Sequence, residues 1–185
     1  MDKTLRLGRI KRGNLPLDRI DKKILALYQH DTRRIAQSIG AEVGLSAAAV
    51  QRRLKRMRAD GIIRSEIAVL DRAAMGTPIT CIVTLSMAAS PGPSSYLDRF
   101  RRQLAEQAMV QQCYHVTGTS DFVIVVSAAS MEGYAAFART WFEASERVAR
   151  YETHVVLDHV KVGLSLPAEV DKKIKPVSVA RKDQR

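Results

Sequence analysis

Residues 46–60 constrain this chain more than any other stretch. Val50, Leu54 and Met57 stand four and three positions apart, so at about 100° per residue they fall on one helical stripe. Ser46 is a good N-cap, because its hydroxyl can accept from the first free backbone N–H groups. The opposite arc presents Ala47, Ala48, Gln51, Arg52 and Lys55. The two alanines let another backbone come close. The longer side chains carry the donors that base edges and phosphates accept. Arg53, Arg56 and Arg58 flank that arc, and Asp60-Gly61 stops the helix. With one narrow apolar stripe, such a helix must pack on small neighbours and leave its basic face outside.

The residues before it supply those neighbours. Asp18 and Asp21 favour a helix start, and Ile20, Ile24, Leu27 and Tyr28 then share one face. That helix should end near Asp31-Thr32. A second is expected over about 34–43, with Ile35, Ile39 and Val43 inward, broken by Gly44-Leu45. Ile62-Ile63-Arg64 and the run to Leu70 read as a strand or small wing. Three short helices, a glycine-containing turn and a basic third helix make a winged helix-turn-helix over residues 16–70. The bland alternative is a three-helix bundle with a solvated basic face.

Charge distribution argues for nucleic acid. Residues 1–64 hold 16 Lys/Arg against 6 Asp/Glu, a net +10. Residues 65–163 hold 8 against 10, a net −2, and residues 164–185 hold 6 against 3, a net +3. A basic segment on a near-neutral body is the footprint of a nucleic-acid binder. Residues 1–15 read as a flexible basic arm and 164–185 as a basic tail. No run of 18 apolar residues is present, so no membrane partner is expected. Cys81 and Cys113 each lie in an apolar run and read as buried, reduced thiols of a cytoplasmic protein.

Gly76 and Pro78 mark a linker over 71–78. Residues 79–163 then run strand, helix, strand, strand, helix, strand, the α+β order of the ferredoxin-like split βαβ fold. The strands are expected at 79–87, 110–116, 122–126 and 151–162. Val110, Gln112, Tyr114 and Val116 should share one face of the second strand. The helices start at Ser95 and Met131; Leu97, Phe100, Leu104 and Ala108 face inward in the first, and Tyr134, Phe137, Ala138 and Trp141 in the second. One sheet face stays uncovered by helices, a face through which such domains pair. The turn Thr117-Gly118-Thr119-Ser120-Asp121 is a candidate ligand site: its backbone N–H groups can cup a carboxylate, and Asp121 can pair with an ammonium group. The same residues also favour a plain hairpin turn. His30, His115, His154 and His159 are scattered. His154 and His159 differ by an odd number and should point to opposite faces of one strand, so no metal pair or catalytic triad emerges. No metal or cofactor is expected.

In order and spacing, the chain resembles the Lrp/AsnC family of leucine- and asparagine-responsive transcriptional regulators. The resemblance rests on 17–25 (Leu-Asp-Arg-Ile-Asp-Lys-Lys-Ile-Leu), 43–46 (Val-Gly-Leu-Ser), 50–57 (Val-Gln-Arg-Arg-Leu-Lys-Arg-Met), 61–64, 68–71 and 116–122. It implies a first domain that binds double-stranded DNA at a pseudo-palindromic operator as a homodimer. The second, a ligand-binding RAM-type domain, would assemble dimers into larger rings, commonly octamers. It would hold a small effector, usually an amino acid, between subunits. By position, Gly118, Thr119, Ser120 and Asp121 match the effector turn; Met131, His154, Val155 and Val156 match positions tied to effector response, and Tyr114 lies on the preceding strand. Two alternatives share the build. One is a DNA-organising protein without an effector. The other is an enzyme like those that decarboxylate tetrapyrroles, for which the basic third helix would have little use.

Overall fold

The computed structural model describes residues 16–88 and 95–167. The basic arm expected over 1–15 and most of the expected tail lie outside the described residues. Within them the chain forms two compact units, 16–67 together with 163–167, and 68–162.

The first unit is three helices, α1 (Arg19–Tyr28), α2 (Ala36–Val43) and α3 (Ala47–Ala59). A capping box starts α1: the Asp18 carboxylate accepts from Asp21 N at 2.7 Å and the Asp21 carboxylate accepts from Asp18 N at 3.2 Å. Ser46 caps α3, as expected, accepting from Ala49 N at 3.3 Å. Ile24, Tyr28, Ile39, Val50, Leu54 and Met57 form the buried core. At roughly 1.5–3 kcal/mol per buried large side chain, this cluster is what holds three short helices together. Gly40 lies where α2 meets the turn into α3. A Cβ there would stand 2.3 Å from the Leu45 carbonyl oxygen, so only glycine permits the approach.

Two expectations fail in this unit. Ile35, expected inward, is the N-cap of α2 and is 67% exposed. The helix starts two residues late, and the cap position turns that side chain out. The strand or wing expected over residues 62–70 is also missing. Ile62 and Ile63 pack against the core, but residues 64–70 pair with no strand and are all exposed. A strand needs a hydrogen-bonding neighbour, and none of the described residues offers an edge there. The stretch from 163 belongs with this unit: the Gln29 side-chain amide donates to the Leu166 carbonyl and accepts from its N–H, both at 2.9 Å.

The second unit contains β1 (Ile79–Met87), α4 (Ser95–Ala105), β2 (Val110–His115), β3 (Phe122–Ala128), α5 (Met131–Ala138) and β4 (Val148–Val155). The sheet order is β2-β3-β1-β4, and each described neighbour pair is antiparallel. This is the expected βαββαβ arrangement. Cys81, Val83 and Leu85 of β1 and Phe122, Ile124 and Val126 of β3 face the helices and join Phe100, Leu104, Tyr134, Phe137 and Phe142 in the core. Cys113 is half-buried on the same face.

Four details depart from expectation. Ala108 lies beyond the end of α4 and is exposed, not inward. The register slips between Val110 and Gln112, so Val110 sits opposite Val126 on the core face while Gln112 and Tyr114 face away. One extra residue in a strand reverses the alternation. A π-helical turn, Arg139–Glu143, follows α5 and shifts the helical phase, so Phe142 is buried (1% exposed) where Trp141 was expected and is only half-buried. The last strand ends at Val155, not 162.

Candidate nucleic-acid interface and effector region

On α3 the apolar stripe packs on α1 and α2, and the opposite arc is presented to solvent. Ser46, Ala48, Gln51, Arg52 and Lys55 are exposed, and Ala47 is half-buried. Gln51, Arg52 and Lys55 make no side-chain hydrogen bond or ion pair among the described residues. They are long, unengaged donors beside a small-residue tip.

Arg53 and Arg56 belong to a different structure. Asp21 is fully buried (0% exposed), and its carboxylate takes Arg53 Nη1 at 2.8 Å and also pairs with Arg56 Nη2. Arg53 Nη1 further reaches Asp18 at 2.5 Å. The Asp21 N–H first, and then the Arg53 guanidinium, hold the Asp18 carboxyl below its ordinary value. Asp18 first, and then Asp21, push the Arg53 pKa up. Both arginines thus tie α3 to the start of α1 instead of lying free beside the DNA-facing arc, where the sequence placed them. Arg58 is likewise engaged: it donates to Tyr28 Oη at 2.7 Å and to Glu66 at 2.8 Å, and its guanidinium lies 5.5 Å from the Tyr28 ring centre.

In the second unit the turn 117–121 is pinned to the far end of β1. Asp121 N donates to the Leu85 carbonyl at 2.8 Å, and the Asp121 carboxylate accepts from Met87 N at 2.7 Å. Ser86 Oγ donates to the Thr119 carbonyl at 3.2 Å. Gly118 has φ of 123°, a backbone conformation that favours glycine. One Asp121 oxygen is therefore committed to the fold, which the sequence did not reveal. Thr84, Ser86, Thr119, Ser120, Arg150 and Glu152 line a shallow recess of about 80 Å³ on the sheet face away from the helices. That is well below the roughly 300 Å³ at which enclosed ligand pockets begin.

The other expected effector residues do not join the turn. Val155 pairs with Cys81 and His154 with Ile82, while Met131 follows the β3 end that pairs with Ile79. They lie at the start of β1 and the turn lies at its end. Six residues from Cys81 to Met87 span about 20 Å of strand. Tyr114, 47% exposed on edge strand β2, hydrogen-bonds Gln112 at 3.0 Å. β2 and β4 are opposite sheet edges, so Tyr114 and His154 are separated as well. His159 overturns another expectation. Because the strand has ended, odd spacing no longer sets its side, and its Nε2 reaches Thr80 Oγ1 at 3.1 Å on the face that also carries His154. Residues that the sequence reading missed, Arg72, Thr80 and Ser127, gather at the same place.

Two family models match the chain. An AsnC-type helix-turn-helix domain covers residues 17–58 and an Lrp/AsnC ligand binding domain covers 80–166. An HTH-type transcriptional regulator of Sinorhizobium fredii, y4tD, is 35% identical over 156 residues, spanning 84% of this chain and 91% of that protein. The crystal structure of an AsnC family transcriptional regulator from Agrobacterium tumefaciens superposes with a TM-score of 0.74 at 28% identity, covering 81% of this chain and 96% of that one. A Neisseria meningitidis transcriptional regulator in complex with L-Met superposes with a TM-score of 0.76 at 23% identity, covering 83% and 98%, and shares the fold.

Proposed function

Because the chain belongs to the Lrp/AsnC family of transcriptional regulators, we propose that it reads an operator through Ser46, Ala47, Ala48, Gln51, Arg52 and Lys55 under control of an amino-acid effector. The family members matched are regulators, not enzymes. The observation that carries the DNA reading is the division of α3. Val50, Leu54 and Met57 are buried, Arg53 and Arg56 are held by Asp21, and Gln51, Arg52 and Lys55 are left exposed with no partner among the described residues. A helix so divided offers its N-terminal half to the major groove. Two such helices in a homodimer would read the two halves of a pseudo-palindrome.

The separation of the effector residues supports a site shared between subunits. An amino acid cannot span about 20 Å, so the turn of one subunit would meet Met131 and His154, Val155 and Val156 of another. The open sheet face, with Ile82, Val123 and Val125, favours pairing of subunits, and pairs would assemble into octamers. The binding of L-Met by the Neisseria relative is what suggests an amino acid here.

The test is operator selection from a random duplex library, followed by binding of Gln51→Ala and Arg52→Ala. Loss of roughly 1–3 kcal/mol at one base position, with relaxed preference there, is expected for each. Unchanged affinity and preference would remove that residue from base reading. For the effector, thermal-shift screening against all amino acids should give a hit, and Gly118→Val and His154→Ala should each abolish it. Mixed assemblies of the two variants should regain part of the binding. If they do not, the site is not shared between subunits.

A further inference from the structure

The third helix carries five cations, Arg52, Arg53, Lys55, Arg56 and Arg58, and no acid of its own. Acids from elsewhere in the same unit meet three of them. Asp18 and Asp21, at the start of α1, hold Arg53 at 2.5 and 2.8 Å. Asp21 also holds Arg56, and Glu66 holds Arg58 at 2.8 Å. Three carboxylates thus match three guanidinium groups, and the formal charge of the set is zero. Arg52 and Lys55 stay exposed, with no side-chain partner among the described residues.

The division runs between neighbours. Lys55 and Arg56 are adjacent in sequence, and Arg56 stands one turn beyond Arg52 on the same side of the helix. A released Arg56 would therefore lie beside the reading arc. Asp21 prevents that release. Its carboxylate is 0% exposed, and among the described residues its charge is met by the two guanidinium groups and the Asp18 N–H. Parting Arg56 from it would leave a buried charge short of a partner, which costs more than one solvent-exposed contact with a phosphate returns.

Binding that ignores sequence depends on how many phosphates a protein neutralises. Each Lys or Arg that does so releases condensed counter-ions and steepens the fall of log K with log salt by about 0.9. At roughly 0.15 M salt one such contact is about a fivefold gain in affinity for any duplex. A guanidinium already neutralised by an internal carboxylate displaces no counter-ion and brings no such gain.

We infer that Asp18, Asp21 and Glu66 are internal counter-ions that set how tightly the first unit holds duplex DNA of any sequence. They withhold Arg53, Arg56 and Arg58 from the phosphates, and leave Arg52 and Lys55 as the cations of α3 that DNA can use. The inference rests on the DNA reading of α3 proposed above and adds which of its charges take part.

The test measures binding of the full-length protein to a scrambled duplex by fluorescence anisotropy, between about 50 and 200 mM salt. Lys55→Met should flatten the salt slope by about 0.9 and raise Kd about fivefold at roughly 0.15 M salt. Arg56→Met removes the same charge from the next residue and should leave both unchanged. Asp21→Asn, which releases Arg56, should steepen the slope by about 0.9, and adding Arg56→Met to it should take that gain away. Lys55→Met and Arg56→Met keep Asp21 paired with Arg53, so they decide the matter even if Asp21→Asn does not fold. Equal losses in Lys55→Met and Arg56→Met would overturn the inference, because Arg56 would then already serve a phosphate. Unchanged slopes in both would overturn it too, as would an unchanged slope in Asp21→Asn that circular dichroism shows to be folded. Plain repulsion between Asp21 and DNA also predicts the Asp21→Asn gain, but it requires a loss in Arg56→Met, and that loss counts against the inference. If the wild-type protein binds no duplex, the DNA reading falls and the inference with it. If it binds and Arg56→Met loses as much as Lys55→Met, the DNA reading stands and the inference alone falls.

Discussion

Replacing Asp21 by asparagine removes one charge and almost no volume, so it isolates what that charge does in the DNA-binding unit. The carboxylate is fully buried and accepts from two guanidinium groups and from Asp18 N. Breaking a buried ion pair by removing one partner costs about 3–5 kcal/mol. Arg53 and Arg56 are 25% and 35% exposed and can turn towards water, which places Asp21→Asn at the lower end, about 3 kcal/mol. A unit of this size has a total stability of only about 3–8 kcal/mol, so the loss is a large share of it. The single Trp141 lies in the other unit, which makes the assay selective. In a urea titration, far-UV circular dichroism should show an early transition from the three helices, while the Trp141 fluorescence transition stays where it is. In an Arg53→Met, Arg56→Met background the same substitution should cost far less, because the charges it served are gone. A shift under about 0.5 kcal/mol, an equal shift of the tryptophan transition, or full additivity with the arginine substitutions would refute the reasoning.

Phe142→Ala should destabilise the second unit by about 3–5 kcal/mol, and Trp141→Ala by clearly less, as read from denaturant midpoints; the reverse order would mean that the π-helical turn does not set the phase. Acid should weaken the first unit. The folded pKa of Asp18 is depressed below its ordinary 3.8, chiefly by the Asp21 N–H, and that of Glu66 below 4.5, chiefly by the Arg58 hydrogen bond. Their stabilisation is therefore present above those ordinary values and is lost as pH falls through the lower folded ones. Both side chains are substantially exposed, so each contributes under about 1 kcal/mol. An unchanged midpoint of the helical transition between pH 6 and pH 3 would contradict it.

Much of the fold was legible because it follows from local periodicity. The stripe Val50, Leu54, Met57 needs nothing but helical spacing to be recognised, and the Ser46 cap needs only a hydroxyl at the right position. The strand 79–87 carries Cys81, Val83 and Leu85 at alternate positions, and its bounds are those read from the sequence. Misreadings arose where a single inserted residue changed the phase. The slip at Gln111 moved Val110 to the core face, and the π-helical turn exchanged Trp141 for Phe142. Neither insertion leaves a compositional mark. The candidate site divides the same way. The exposed arc of α3 could be read from one helix, but the diversion of Arg53 and Arg56 to Asp21 could not, because the partners lie more than thirty residues apart.

By itself the sequence determined that a basic, three-helix unit precedes a near-neutral βαββαβ unit, and which arc of the third helix stays outside. Those properties are set by charge count and by repeats of 3.6 and 2 residues, which act over a few neighbours. Tertiary structure alone decided which basic side chains are free and which are structural. It also separated the turn from Met131 and His154 along β1 and brought Arg72 and His159 to one pair of hydroxyls. Those outcomes depend on strand register and on where a strand stops. Both are set by pairing between segments far apart in the chain, which no local pattern encodes.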